Sequence, residues 1–158
     1  MIYKCESINF ALNKKINTMK NQKIYLEHAN ITFNNLDNAI DFFTTAFPHF
    51  KVRGGGKGDR EWVHLGDDYT YLALNQTTKK QNNIEKNYNR VGINHLAFVV
   101  EDVAGLANRL LEKGYKRDYP TQNEKFRIRE YFADSEGNEY EFVQYLSEVI
   151  SERNSFND

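Results

Sequence analysis

The stretch "NHLAFVVEDV", residues 94–103, joins a histidine to a short apolar run and then to the start of a helix. Residues 96–100 have the length and composition of a buried β-strand. Asp102 is a good N-cap for the following helix, because its side chain can accept from the first free amides. His95 opens the strand and is either a hydrogen-bonded strand-end residue or a ligand directed into a pocket. The rest of the chain decides between these readings by the partners it supplies.

The same pattern occurs earlier in the chain. Residues 24–33, "IYLEHANITF", alternate in the manner of a strand, and an amphipathic helix follows them. An offset of 67 residues places His95 on His28 and Asp102 on Asn35. An offset of 68 places the later strand "EYEFV" on "TYLAL". Hydrophobic phase, helix caps and a histidine all coincide, so the sequence indicates an internal duplication.

Each half of the duplication predicts the element order β-α-β-β-β, which is an α+β fold. Three strands are expected after each helix, near residues 50–54, 60–65 and 69–75 in the first half and 115–119, 125–132 and 139–146 in the second. The glycine-rich segment "RGGGKGD" is interpreted as the turn between the first two strands, and "ADSEGN" as a tight turn before the last. The glycine segment lacks the Lys-Ser/Thr ending of a phosphate-binding loop, so a hairpin or mobile loop is expected there.

The patterned region is interpreted as a single domain over residues 23–147. Its parts are module 1 at 23–76, a polar linker at 77–92 and module 2 at 93–147. Residues 1–22 show no clear periodicity and are expected to be a flexible N-terminal extension, with a short packed helix as the alternative. Residues 148–158 are expected to be a C-terminal tail.

Composition limits the classes of partner. The 158 residues are 40% hydrophobic and 14% aromatic, which is typical of a folded globular protein. A formal net charge of -1 gives no electrostatic support for nucleic-acid binding. The single cysteine, Cys5, excludes an internal disulfide framework and fits a reducing compartment. No apolar run approaches the roughly 18 residues of a membrane span, and no secretory signal is evident, so a cytoplasmic location is expected.

Strand alternation predicts which side chains face away from the helices. In the first strand these include His28 and Asn30, in the second-half strand His95, and in the last strand Glu141. Two histidines and a carboxylate on one concave surface form a set that leaves positions open for substrate and suits divalent Fe, Mn, Co, Ni or Zn. The set forms only if the two halves pair around one cavity. Taken singly, a strand-end histidine is more often structural, and Glu141 more often solvated or ion-paired.

Other side chains are candidates for contact with a substrate. Trp62 alternates with His64 along one strand, and both can line a pocket or lie at an exposed sheet edge. Arg127 and Arg129 share a strand face, where they can meet an anion or remain solvated. The residues expected to bind a small-molecule substrate are Asn30, Trp62, Tyr69, Tyr71 and Arg129. No credible Ser/His/Asp or Cys/His arrangement is present, and no catalytic residue is assigned.

Three segments together resemble the vicinal oxygen chelate superfamily, which includes glyoxalase I, extradiol dioxygenases, and fosfomycin- and bleomycin-resistance proteins. They are "EHANITFNNLDNAIDFFTTAF", "NHLAFVVEDV" and "YFADSEGNEYEFVQ", and the resemblance spans residues 24–146. It implies paired βαβββ modules that form an incomplete barrel around a divalent metal, with His28, His95 and Glu141 at ligand positions. The fourth ligand position, a glutamate in glyoxalase I, falls on Ala73, which argues against ordinary glyoxalase I chemistry.

The resemblance leaves two functional hypotheses. One is a metal-dependent enzyme that acts on a small oxygen-chelating substrate, with lyase, dioxygenase and transferase chemistry unresolved. The other is a metal-free protein of the bleomycin-resistance type that binds and sequesters a small molecule. A homodimer is expected in either case, and the modules complete the barrel within one chain or exchange partners across a twofold axis.

Overall fold

The computed structural model describes residues 25–81, 88, 91–153 and 155. The predicted N-terminal extension lies outside these residues, and the predicted linker lies partly outside them. The first module contains β1 (His28–Phe33), α1 (Leu36–Ala46), β2 (Lys51–Lys57), β3 (Glu61–Gly66) and β4 (Tyr71–Gln76). The second contains β5 (His95–Val99), α2 (Val103–Glu112), β6 (Gln122–Asn123), β7 (Arg127–Ala133) and β8 (Glu139–Tyr145). A one-turn helix, α3 (Ile150–Arg153), lies within the predicted tail.

Each module forms one four-stranded mixed sheet, with the strand orders β1-β4-β3-β2 and β5-β8-β7-β6. β1 runs parallel to β4 and β5 runs parallel to β8, while the other neighbours are antiparallel. The predicted α+β fold of two βαβββ modules is therefore confirmed. Neither sheet closes into a barrel within the part of the chain that the structure describes.

The register of the strands shows the duplication in three dimensions. His28 pairs with Tyr71 in module 1, as His95 pairs with Glu139 in module 2. Asn30 likewise pairs with Ala73, as Ala97 pairs with Glu141. Ala73 therefore occupies the position in its own sheet that Glu141 occupies in the other, as the offset of 68 predicts.

The helices begin where the sequence predicts. Asn35 caps α1 by accepting from the amide of Asn38 at 3.0 Å, and Asp102 caps α2 by accepting from the amide of Gly105 at 2.9 Å. After α2, Gly114 adopts a φ of +90°, the left-handed conformation that follows many helices and favours glycine. Local sequence therefore fixes the start of each helix and the end of the second.

The two modules share one hydrophobic core. α1 packs against α2, and the rings of α1 reach across to strands of module 2. The ring of Phe43 lies 5.0 Å from that of Tyr140, and Phe47 lies 4.9 Å from Phe98. Such close aromatic pairs add about 0.5–1.5 kcal/mol each to the burial of their surfaces. The helix side of each sheet is thus occupied by core, and the opposite face remains available for a site.

Two details of the predicted strands are wrong. The glycine segment does lie in the predicted hairpin, but most of it is strand: Gly54 and Gly56 lie within β2, opposite His64 and Trp62, and the turn begins only at Gly58. A side chain at position 56 would bring its Cβ to 3.1 Å from the indole nitrogen of Trp62, so the glycine makes room for that ring.

The strand predicted at residues 115–119 is also absent. Only Arg117 makes an isolated bridge there, to Phe132, and regular pairing begins later at β6. Pro120 explains the delay, because proline has no amide hydrogen for a ladder and restricts the residue before it. None of the helices in the described residues has the length and hydropathy needed to cross a membrane.

Candidate functional site

The face of the second sheet that points away from the helices carries most of the chemistry; we call it the module 2 face. Along β5 and β8, alternate residues point into the core, where Tyr140 and Phe142 are fully buried. The other alternates form the face, together with two residues of β7. Its members are His95, Ala97, Val99, Arg129, Tyr131, Glu139, Glu141 and Val143.

His95 lies between two carboxylates on this face. Its Nε2 is 3.0 Å from Oε2 of Glu141, and its Nδ1 is 3.4 Å from Oε1 of Glu139. Both glutamates are only 8% exposed. A buried carboxylate is costly unless paired, so His95 and its neighbours stabilise an unusual local concentration of negative charge.

Three tyrosines surround these carboxylates. The hydroxyl of Tyr88 donates to Glu139 at 2.9 Å, and the ring of Tyr131 stands edge-on to that of His95 at 6.0 Å. Burial, followed by a hydrogen bond to Glu141, raises the pKa of Tyr131 to about 12. The charge of Glu139 raises the pKa of Tyr119. All three hydroxyls therefore remain protonated at neutral pH and can donate to the carboxylates.

An ion-pair network continues along β7. Glu124 binds both Arg127 and Arg129, and Arg129 also donates to the hydroxyl of Tyr131 at 3.2 Å. A second guanidinium contact, at 3.7 Å, reaches Glu141. Nε of Arg129 is buried without a hydrogen-bond partner among the described residues. Arg129 is therefore held beside the histidine by its neighbours.

The corresponding face of the first sheet is aromatic; we call it the module 1 face. The ring of His28 stacks on that of Tyr71 at 4.7 Å, Tyr71 lies 4.7 Å from His64, and His64 lies 4.8 Å from Trp62. The guanidinium of Arg53 sits 4.8 Å from the Tyr71 ring centroid, within cation–π range. The face is thus a four-ring ladder with one cation beside it.

Polar contacts on the module 1 face are fewer. Asn30 accepts a hydrogen bond of 2.9 Å from the amide of Asn75, and Ala73 lies beside it at 4% exposure. Tyr69, expected among the substrate contacts, lies in the turn before β4 and is 59% exposed. The structure therefore brings Trp62, Tyr71 and Asn30 onto one face and places Tyr69 outside its strands.

The predicted ligand set is only partly assembled within one chain. His95 and Glu141 are in contact, whereas the side chain of His28 contacts Glu27 and Tyr71 of its own module. Across the residues that the structure describes, no group of three or more His, Cys, Asp or Glu side chains is arranged to hold a metal ion. One chain thus provides a two-ligand half of the set and a separate third ligand.

The two-ligand half has suitable geometry for an ion. Two donors each about 2.0–2.2 Å from one metal lie roughly 3 Å apart when they span a right angle, which is close to the observed His95–Glu141 separation of 3.0 Å. Imidazole and carboxylate donors suit Zn, Fe, Mn, Co and Ni. The chemistry of the donors therefore fits a divalent metal, although the set is incomplete in one chain.

Several residues of the site were not predicted from the sequence, among them Glu139 and Tyr88. Glu139 carried a usable signal, because it lies two residues before Glu141 and so shares its strand face. Tyr88 carried none, since it lies in the unpatterned segment between the modules.

The family model described as Glyoxalase/Bleomycin resistance protein/Dioxygenase superfamily matches residues 25–142. The chain belongs to this superfamily. The match runs from the start of module 1 into the last strand of module 2 and includes His28, His95 and Glu141. Comparison with curated proteins gives no significant match.

Solved structures of other members of the superfamily have the same fold. A glyoxylase/bleomycin resistance protein/dioxygenase domain from Frankia sp. EAN1pec is 22% identical, with a TM-score of 0.66 over 78% of this chain and 99% of that one. The fosfomycin resistance protein FosX of Mesorhizobium loti is 16% identical, with a TM-score of 0.62 over 84% and 98%. The trypanothione-dependent glyoxalase I of Leishmania major is 22% identical, with a TM-score of 0.60 over 77% and 87%. At these identities the likeness shows the fold alone.

Proposed function

We propose that this protein is a divalent-metal-dependent enzyme that acts on a small substrate with two neighbouring oxygens. The observation that carries the proposal is the 3.0 Å approach of Nε2 of His95 to a carboxylate oxygen of Glu141 on an open sheet face. The fold, shared with glyoxalase I and fosfomycin resistance proteins, supports it. The superfamily commonly uses divalent metals, and His28 is the proposed third ligand.

We further propose that His28 comes from a second copy of the chain. Among the described residues, the side chain of His28 contacts Glu27 and Tyr71 of its own module, and no three-ligand group forms within one chain. The module 2 face also exposes Ala97 and Val99, the latter by 68%, and an apolar strand surface of this kind favours a covering partner. A twofold homodimer would lay each module 1 face against the module 2 face of the other copy.

Each part of the proposed site has a chemical role. A bound divalent ion would act as a Lewis acid that polarises substrate oxygens and stabilises developing negative charge. The guanidinium of Arg129, which lies beside Glu141, would pair with an anionic group of the substrate. Trp62 and Tyr71 would form an apolar wall, and Asn30 would provide a hydrogen-bonding amide. Ala73 offers no carboxylate, so this site has no base at the position that glyoxalase I uses.

Metal analysis tests the proposal. Protein purified without chelators and reconstituted in turn with Fe(II), Mn(II), Ni(II), Co(II) and Zn(II) is expected to retain close to one ion per chain. H28A, H95A and E141A should each lose it, because three protein ligands hold the ion. The matched control is H49A, since His49 is an exposed histidine beside Asp67 and lies outside the site. Wild-type protein that retains none of these ions would contradict the proposal.

A second function is favoured by the tyrosines. Tyr88, Tyr119 and Tyr131 surround two buried carboxylates, an arrangement that can also bind an organic cation. In a metal-free protein of the bleomycin-resistance type, the same face would sequester such a ligand. Absence of metal binding, together with calorimetric binding of a quaternary ammonium probe that E139Q abolishes, would favour this function.

A further inference from the structure

Glu139 contacts His95 at a different ring nitrogen from Glu141. It pairs directly with His95 in the register of β5 and β8 and is 8% exposed. Its carboxylate lies on the Nδ1 side of the imidazole, whereas Glu141 lies on the Nε2 side. The two glutamates therefore lie next to different nitrogens of the same ring.

The hydrogen bonds indicate which nitrogen of His95 carries a hydrogen. Tyr88 has a single hydroxyl hydrogen, and it is donated to Glu139 at 2.9 Å. The same hydroxyl oxygen is 3.1 Å from Nδ1 of His95. That oxygen can only accept from the imidazole, so the hydrogen between them lies on Nδ1.

We infer that Glu139 and Tyr88 are positioning residues, which fix a hydrogen on Nδ1 of His95 and turn Nε2 toward the ion that Glu141 would share. The inference rests on the proposed metal-dependent function. Histidines that bind metals usually donate their other ring hydrogen to a carboxylate or similar acceptor, which orients the ring and raises its basicity. Tyr88, which lies in the segment between the modules, would position His95 together with Glu139.

The other proposed ligand shows a related arrangement. Nδ1 of His28 is 3.0 Å from a carboxylate oxygen of Glu27. Its ring is held flat against Tyr71, the residue that corresponds to Glu139 in the duplication, with 17° between the planes. Both histidines thus direct Nδ1 toward a glutamate. The recurrence in two modules, with glutamates at different sequence positions, supports a common requirement at Nδ1.

The test compares Co(II) binding by wild type, E139Q and Y88F, measured from the visible absorbance of the bound ion. E139Q keeps the size of the side chain but weakens the acceptor, and is expected to reduce Co(II) affinity about 10- to 100-fold. Y88F should reduce it by a smaller factor, because Glu139 remains. Y69F is the matched control, since Tyr69 is an exposed tyrosine outside the strands, and it should bind as wild type. On Zn(II)-loaded protein, ¹⁵N-labelled histidine spectra should show the Nδ1–H of His95 protected in wild type and exchanging faster in both variants.

Each result has a defined consequence. Wild-type Co(II) binding with unchanged affinity in E139Q and Y88F would overturn the inference alone. So would a lower melting temperature in E139Q with unchanged affinity and His95 signals, because Glu139 would then be merely structural. If wild type bound no Co(II), the proposed function would fail and the inference with it.

Discussion

Glu124 shows how a single carboxylate organises the region beside the candidate site. It binds Arg127, which is 5% exposed, and Arg129, which reaches on to Glu141. Burial acts to raise the pKa of Glu124, but hydrogen bonds and charge from the two arginines outweigh it, so the pKa lies below its usual value of 4.5. Glu124 thus stabilises the fold in its ionised form and holds Arg129 in place.

This shift predicts a dependence of stability on pH. A carboxyl whose pKa is lower in the folded state stabilises the protein above its unfolded pKa, and the contribution is lost as pH falls through the folded value. E124Q should therefore lower the free energy of unfolding by about 1.5–3 kcal/mol at neutral pH, as expected for a charged hydrogen-bonded pair. The difference from wild type should shrink as pH falls below 4.5. Urea unfolding across that range measures it.

Asp41 provides the control for this experiment. Its bond to Lys113 lowers its pKa as well, but its side chain is 47% exposed, so D41N should cost less than about 1 kcal/mol. An E124Q deficit that stays constant down to the acid limit would contradict the prediction, because it would indicate lost packing rather than lost charge.

At the scale of elements, α1 is capped from the other module. Glu136, in the turn between β7 and β8, accepts from the amide of Asn34 at 2.9 Å and from the amide of Asn35 at 2.8 Å. These amides precede the helix, where unpaired N–H groups and the positive end of the helix dipole favour a carboxylate. The turn of module 2 is thereby tied to the first helix of module 1.

Removal of this inter-module cap should be measurable. E136A is expected to lower the free energy of unfolding by about 1–2 kcal/mol, because two amides lose their acceptor. E136Q should cost less, since its amide oxygen can still accept one of the bonds. N35A, which removes the helix's own cap at Asn38, is the matched control at about 1 kcal/mol. Thermal and urea unfolding would contradict the prediction if E136A matched wild type.

The sequence predicts elements well where their determinants are local. The caps at Asn35 and Asp102 lie within a turn of the helices that they begin. The hairpin at the glycine segment is present, but the extent of its turn was wrong, because the role of Gly56 depends on Trp62 in the neighbouring strand. The expected strand at residues 115–119 is absent, and Pro120 restricts pairing at its end.

The residues of the candidate site likewise fall into those that the sequence predicted and those that it did not. Period-2 alternation and the duplication were sufficient to place His95 and Glu141 on one face, and they are in contact. Tyr88 could not be predicted, because it lies in a segment without periodicity and its partner Glu139 is 51 residues away in the sequence. The separation of His28 from the other two depends on how the modules pack, which is a tertiary property. Register follows from the sequence pattern, whereas module arrangement does not.

For the whole molecule, the two faces are chemically complementary. The module 1 face carries two histidines, two larger aromatic rings and Arg53, with the carboxylate of Glu27 beside His28. The module 2 face carries Glu139 and Glu141 beside His95. Opposition of the faces would bring Arg53 and the aromatic rings of one copy to the two carboxylates of the other. Such complementarity favours association of two copies in register.

Mixing of inactive variants tests whether the site forms between copies. In a mixed dimer of H28A and H95A, one site combines an intact His28 from one copy with intact His95 and Glu141 from the other. When an equimolar mixture is unfolded and refolded, half of the dimers should contain one chain of each variant. One of the two sites in each mixed dimer is intact, so about one quarter of all metal sites should be restored. Each variant alone should bind close to none, so metal content of the refolded mixture is the measurement.

A mixture of H95A and E141A is the internal control for this prediction. Both substitutions lie in module 2, so every site in every mixed dimer lacks one ligand, and refolding should restore nothing. Recovery in the first mixture and none in the second is the pattern that only a site shared between copies produces. A site completed within one chain would give no recovery in either mixture, because each chain would keep its own defect. In that case the same three ligands would hold the metal, but all three would come from one chain.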